Sequence, residues 1–439
     1  MPYTFVKEIA RGGFGRVCEV CDDHGDLYAM KLLEPSAQLA HVPMDLLKKR
    51  FEREVKYQQA ISHPNVVAIH DVDINVDPPY CIMELAIGTL HDDIVADHTL
   101  GGNPKSALFD ILAGLEYLAE KGFIHRDLKP QNVLKLQNQD GSFRYAISDF
   151  GLMHPGTADT TTLTVTGAQG GTQFYAAPEL MQDFSRATIS ADIYAFGAIL
   201  HDIFAAQQRI PYTQLTVSGT MGPVLEKCTK TNPKRRYTSI AELREDLFAV
   251  LNAGTLVFTS SREQRAVELL GEHRALTSDE WDEVFLALDE NESKSVRNDN
   301  IFLALRGEHI AQLNEDSPEL VKSLGMRFCE FVMSRGFNFD YCDILSARLE
   351  VFFDLGDTEL KALVLLGFLE LGVSHNRWLV ERNFYRRVLE DADDNVMQRF
   401  LVEVGVRAYR LKARIQHLLS SIVVDPQAFH PLLKVAIGQ

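Results

Sequence analysis

The chain has 439 residues, 46% of them apolar and 24% charged, enough material for two or three soluble globular domains. With 61 acidic against 44 basic residues it carries a net charge of −17, which argues against a nucleic-acid binder or a protein held by charge on an anionic membrane. Its six cysteines, at positions 18, 21, 81, 228, 329 and 342, form no disulfide framework and suit a reducing compartment. The start of the chain lacks a basic segment followed by an apolar run. The longest apolar stretch, Leu360 to Val373, contains Lys361 and Glu370. Neither a signal peptide nor a membrane span is expected, and a cytoplasmic protein is.

Tyr3-Thr4-Phe5-Val6 opens a strand, and Ala10-Arg11-Gly12-Gly13-Phe14-Gly15-Arg16-Val17 follows it. Glycines at such a turn let the backbone approach phosphates closely and leave N–H groups able to donate. A second strand runs through Val17, Glu19 and Cys21, and a third from Leu27 to Lys31 after the turn Asp23-His24-Gly25-Asp26. Cys18 and Cys21 have no second cysteine pair nearby and read as strand residues. A helix is predicted over Met44 to Ala60, with Leu46, Leu47, Phe51 and Val55 on its apolar side. Glu52 and Glu54 are two residues apart and so fall on different faces. Another helix is predicted from Lys105 to Lys121, stopped by Gly122. It leads into His125-Arg126-Asp127-Leu128-Lys129-Pro130-Gln131-Asn132. Pro130 rules out a simple helix there, so a rigid loop presents an acid, a base and an amide together. Asp149-Phe150-Gly151 and then Ala177-Pro178-Glu179 follow in order.

These stretches resemble the protein kinase family, whose catalytic loop reads H-R-D-x-K-x-x-N, and the resemblance covers roughly Tyr3 to Leu251. It implies a two-lobed α+β kinase fold over residues 1–254, with a small lobe at 1–84 and a large lobe at 87–254. It implies ATP and Mg²⁺, with Mn²⁺ as a substitute, and Ser/Thr hydroxyls of a protein substrate as acceptors. Residue by residue, Ala10, Gly12, Gly15 and Val17 form the phosphate loop, although Ala10 stands where the family's first glycine is usual. Ala29 and Lys31 lie on the strand resembling V-A-I-K, and Lys31 takes the α- and β-phosphates. Glu54, ten residues before Pro64, is the helix glutamate that orients Lys31. Gln58 replaces a usual aliphatic core residue one turn later, and a polar group there is expected to loosen the helix's seat. Met83 is the gatekeeper, the backbone of Glu84 and Ala86 faces the adenine edge, and Leu134 packs under the ring. Asp127 handles the substrate proton, Lys129 the transferred phosphoryl, and Asn132 and Asp149 hold the metal.

The resemblance also implies that Glu179 pairs with Arg236, that Asp192 holds the catalytic-loop backbone, and that Arg126 receives an activation-loop phosphate. The segment between Asp149 and Glu179 is crowded with threonines. Thr164 and Thr166 are the phosphorylation candidates, modified in trans within a transient kinase homodimer. The alternative is a pseudokinase scaffold, which would show itself by losing the lysine, the loop Asp or the metal Asp. All three are retained here.

Residues 255–439 match no family known from their motifs. Helices are predicted at Arg265 to Leu270, Asp279 to Leu288, Pro318 to Met333, Ile344 to Leu355, Thr358 to Leu371, Trp378 to Leu389 and Asn395 to Leu419. Broad apolar faces and short turns suggest an all-α bundle or solenoid-like domain that binds a partner or regulates the lobes. Asp289, Asn291 and Ser293 mimic the start of a calcium loop, but Lys294 and Asn300 stand where glycine and glutamate are needed.

Overall fold

The computed structural model describes residues 3–138, 141–149, 154–155, 172–181, 187–205, 207–252, 256–272, 274–334, 336–337, 339–375, 377–422 and 424–438. The chain divides into two compact units, Met1–Leu251 and Asn252–Gln439.

The first unit begins with a five-stranded antiparallel sheet ordered β1-β2-β3-β5-β4, made of β1 (Thr4–Arg11), β2 (Arg16–Cys21), β3 (Leu27–Leu32), β4 (Ile69–Asp73) and β5 (Tyr80–Glu84). Helix α1 (Met44–Gln59) places Leu47, Phe51 and Val55 in a buried cluster with Ala29, Val67 and Met83 of the sheet side. Gln58 corrects the expectation of a loose seat. It is 3% exposed, and its Nε2 donates to the Val67 carbonyl at 2.8 Å, so the amide is satisfied and fastens the helix.

The helical part follows with α2 (Leu90–Ala96), α3 (Lys105–Glu120), α4 (Ile189–Phe204), α5 (Gly222–Cys228) and α6 (Ile240–Asn252). Short β6 (Gly88–Thr89) pairs with β8 (Val133–Gln137), which pairs with β9 (Phe143–Ile147). β7 (Phe123–Ile124) pairs with β10 (His154–Pro155). These small ladders bracket the catalytic-loop sequence, so its backbone is fixed at both ends.

The second unit is all helical among its described residues, apart from one isolated β-bridge between Leu389 and Phe429. It comprises α7 (Ser261–Gly271), α8 (Ser278–Ser293), α9 (Asp299–Ala304), α10 (Gly307–Asp316), α11 (Pro318–Met333) and α12 (Phe339–Leu355). It continues with α13 (Thr358–His375), α14 (Trp378–Arg387), α15 (Asp394–Val406), α16 (Leu411–Ser421) and α17 (Pro431–Ile437). From α11 onward alternate helices stack: α13 packs on α11 and α15, and α15 on α17. On the other side α12 packs on α14, and both touch α13. Helix α13 is apolar on all sides, and Leu360, Val364, Leu365, Leu366, Phe368 and Leu369 are fully buried. The expected single helix Asn395–Leu419 is two helices, because Ala408 adopts φ 48° and breaks the ladder of hydrogen bonds. Asp289, Asn291 and Ser293 lie inside α8, where Asn291, two residues from each of the others, leaves on a different face, so the three cannot converge on a cation.

Candidate active site

The glycine turn closes with the Gly12 amide donating to the Gly15 carbonyl at 2.8 Å. Gly15 is required by packing: a Cβ there would lie 2.1 Å from the Leu32 carbonyl oxygen. Ala10 is still within β1, paired with Val17 across the ladder, and needs no glycine-only conformation. Behind the turn, Val17 and Leu134 pack on the cluster that contains Ala29 and Met83, with Leu85 and Ala86 beside them. This is an apolar wall of the kind a flat aromatic ring fits. The Glu84 carboxylate accepts from Arg144 at 2.5 Å.

Lys31 projects from β3 and meets two carboxylates. Its Nζ lies 2.6 Å from Glu54 Oε1 and 3.2 Å from Asp149 Oδ1. Glu52 instead pairs with Lys56, at 2.6 Å. Burial works against the charge on Lys31, but Asp149 and Glu54 outweigh it and raise the lysine's pKa. Lys31 in turn holds the Asp149 carboxyl down to about 2, against burial. Both groups are therefore charged throughout the physiological range.

The catalytic-loop sequence is held from beneath. Asp192, 1% exposed on α4, accepts from the His125 and Arg126 amides at 2.8 Å each. That grip holds Arg126 at φ 68°, a left-handed backbone that non-glycine residues rarely adopt. His125 Nε2 bonds the Ser148 carbonyl at 2.9 Å and so ties the loop to the residue before Asp149. Asp149 is itself left-handed, at φ 64°.

On this frame Lys129 Nζ lies 2.7 Å from Asp127 Oδ2. Asn132 Nδ2 donates to the Asp127 carbonyl at 2.8 Å and to its Oδ2 at 3.2 Å. The other Asp127 oxygen, Oδ1, is buried with no hydrogen-bond partner among the described residues. Burial pushes the Asp127 carboxyl above its ordinary range, opposed by Lys129. Asn132 acts only as a donor in these bonds, so its carbonyl oxygen and the half-exposed Asp149 carboxylate are the hard oxygen donors a divalent cation needs. An acid with an unused buried oxygen, two cations and an oxygen pair suit the transfer of a charged group to a hydroxyl.

The Glu179 carboxylate takes two bonds from the Arg236 guanidinium, at 2.7 and 2.8 Å, and the Arg236 side chain is fully buried. Thr164, Thr166, Phe150 and Gly151 lie outside the described residues. Two contacts escaped the sequence reading. Arg144 joins Glu84 to Asn138 and to the Pro64 carbonyl, and no local pattern links residues 60 positions apart. Tyr145 donates to Asp93 at 2.5 Å, which had the same obstacle.

Among curated proteins the chain is similar to the probable serine/threonine-protein kinase PknB of Lactococcus lactis, 32% identical over 269 residues, which are 56% of this chain and 41% of that protein. It is similar to the serine/threonine-protein kinase PknB of Mycobacterium leprae, 32% identical over 54% of this chain and 42% of that protein. To mitogen-activated protein kinase 3 of Arabidopsis thaliana it is 34% identical over 46% of this chain and 53% of the relative. The chain thus spans about two-fifths of the length of the first two relatives. The family profile described as protein kinase domain matches residues 3–249, more than half of the chain and nearly all of its first unit, and on that match the chain belongs to the protein kinase domain family.

Proposed function

We propose that the protein is a Ser/Thr protein kinase that transfers the γ-phosphoryl of ATP to hydroxyls of a protein substrate. The observation that carries this reading is the Lys31–Glu54 and Lys31–Asp149 pairing beside the Asp127–Lys129–Asn132 loop. A scaffold that had abandoned chemistry would have less reason to retain a largely buried lysine between two carboxylates, so the pseudokinase alternative is disfavoured. Lys31 would hold the α- and β-phosphates, and Glu54 keeps its ammonium aimed. Val17, Ala29, Met83 and Leu134 would clasp the adenine, whose edge would meet the backbone of Glu84 and Ala86. Asn132 and Asp149 would hold Mg²⁺, which supplies charge neutralisation on the phosphate oxygens. Asp127, whose Oδ1 is buried without a hydrogen-bond partner among the described residues, would take the hydroxyl proton of the acceptor, while Lys129 would offset the charge on the transferred group.

Arg126 supports regulation by phosphorylation in trans between two copies of the chain. Its Nε is buried with no hydrogen-bond partner among the described residues, a vacancy that a phosphothreonine at Thr164 or Thr166 would fill. The second unit is proposed to recognise a protein partner or substrate, or to set the activity of the lobes. No group of three or more His, Cys, Asp or Glu side chains that could hold a metal occurs among the described residues. No helix among them is long and apolar enough to cross a membrane. A cytoplasmic location fits the six free cysteines.

One experiment addresses the whole reading: radiolabelled ATP with the full chain, with a chain ending at Gly254 and with the Thr164→Ala/Thr166→Ala variant, sites being mapped by mass spectrometry. Label in the full chain at Thr164 or Thr166, and weaker transfer by the double variant, are expected. No label on the chain or on any added protein would sink the kinase reading. Equal behaviour of the full and shortened chains towards themselves and a substrate would remove the role given to the second unit.

A further inference from the structure

The tip of the glycine turn is fastened to α1 at a place that the chemistry above does not use. Phe14 stands at that tip, and its ring centroid lies 4.5 Å from the Arg50 guanidinium carbon. The same ring packs against the small-lobe cluster that includes Leu47 and Phe51 of α1. Next to it the Ser36 amide donates to the Gly13 carbonyl at 2.9 Å. Two consecutive residues of the tip are therefore held, one through its side chain and one through its backbone. Arg50 precedes Glu54 by four residues, so both leave α1 on one face. Burial lowers the basicity of Arg50, opposed by the carboxylates of Glu54, Asp149 and Asp127. A desolvated guanidinium over an aromatic face is where this contact is strongest, and its planar fork suits stacking better than an ammonium would.

We propose that Arg50 is a positioning residue for the nucleotide, acting through Phe14: the guanidinium fixes the ring, and the ring fixes the height of the Gly12–Gly15 turn over the phosphates. The inference rests on the kinase reading above. It also gives α1 a second duty. A shift of the helix that separates Glu54 from Lys31 would at the same time withdraw Arg50 from Phe14, so loop closure and lysine alignment would be gained or lost together.

The test uses the full chain and four variants: Arg50→Ala, Phe14→Ala, the double substitution, and Phe14→Tyr. The Kd of a fluorescent trinitrophenyl-ATP with Mg²⁺ is measured, together with KM for ATP and kcat in autophosphorylation. Each single alanine variant is expected to weaken nucleotide binding about three- to tenfold. The double variant should be no weaker than either single one, because both break the same contact. Phe14→Tyr should restore binding, and kcat should fall less than KM rises. A purely structural role would lower the melting temperature without this split. Unchanged Kd in Arg50→Ala, or losses that simply add in the double variant, would overturn the proposal. Nucleotide binding without any phosphoryl transfer would defeat the kinase reading and still leave the Phe14–Arg50 contact to be judged by Kd. Failure of the unaltered chain to bind nucleotide would overturn both.

Discussion

In the loop around Asp127, within the unit that ends at Leu251, a buried charge is only half committed to its neighbours: Asp127 engages Lys129 and Asn132 with one oxygen and no described residue with the other. In the unit from Asn252 several buried polar groups are spoken for. Arg348, 3% exposed, donates to the Leu305 and Ile344 carbonyls at 2.7 and 2.9 Å. Arg377 pairs with Asp343, which is 1% exposed, and Asn383 donates to Ser346 at 3.0 Å. A fully satisfied polar group holds two helices in register, whereas one left partly unsatisfied beside an apolar wall awaits a ligand. Glu381, like Asn291 and Asn298, is not fully satisfied among the described residues. It is fully buried, one oxygen accepts from Ser421, the other has no partner among the described residues, and burial pushes its pKa up to about 7.

The contrast breaks most visibly at Asp149. Asp149→Ala should lower phosphoryl transfer by on the order of a thousandfold or more while leaving the melting temperature near that of the unaltered chain. Turnover at the original rate would mean that the half-committed charges are ornamental. Arg377→Ala tests the other side. It strands the Asp343 carboxylate in the interior and should cost about 3–5 kcal/mol of stability, read as a shift of the urea midpoint. A loss below about 1 kcal/mol would show that the pair is dispensable.

Glu381 offers a finer test through pH. Its folded pKa is raised to about 7, above the usual glutamate value of about 4.3 in the unfolded chain. The folded form therefore holds the proton more tightly, and the contribution is complete below the unfolded value and fades as pH climbs through the folded one. Stability of this unit should decline between roughly pH 4.3 and 7, by on the order of 3 kcal/mol, and Glu381→Gln should flatten that decline. A slope identical in both proteins would refute it. The smallest effect is expected at Asp127. Because burial raises its pKa, the acidic limb of kcat should lie above the ordinary aspartate value of about 3.9. A limb at or below that value would place the titrating base elsewhere.

The two units were also unequally legible in the sequence. In the first, residues that must be adjacent in space carry motifs short enough to read: Asp127, Lys129 and Asn132 sit within six positions, and Glu54 could be found by counting back from Pro64. What stayed hidden needed a distant partner. Gln58 looked like a flaw because its acceptor, Val67, belongs to another segment, and Arg144 reaches Glu84 from 60 positions away. In the second unit periodicity gave most helices within a turn or so. It ran through the break at Ala408 because the apolar spacing continues across it, and it passed over α9, α10 and α17 as too short or too polar. Helix α17 did carry readable punctuation, with Pro431 at its first position and left-handed Gly438 after its last.

Helix α13 has a consequence for how the second unit comes apart. It has neighbours on either side in its own layer and in the layer across from it, whereas α7 and α17 stand at the two ends of the chain of helices. In a stack of this kind fraying begins at the ends and travels inward. Amide protons should therefore exchange with deuterium slowest in α13, and progressively faster towards α7 and α17, so that the helix with the most monotonous sequence is the last to meet water.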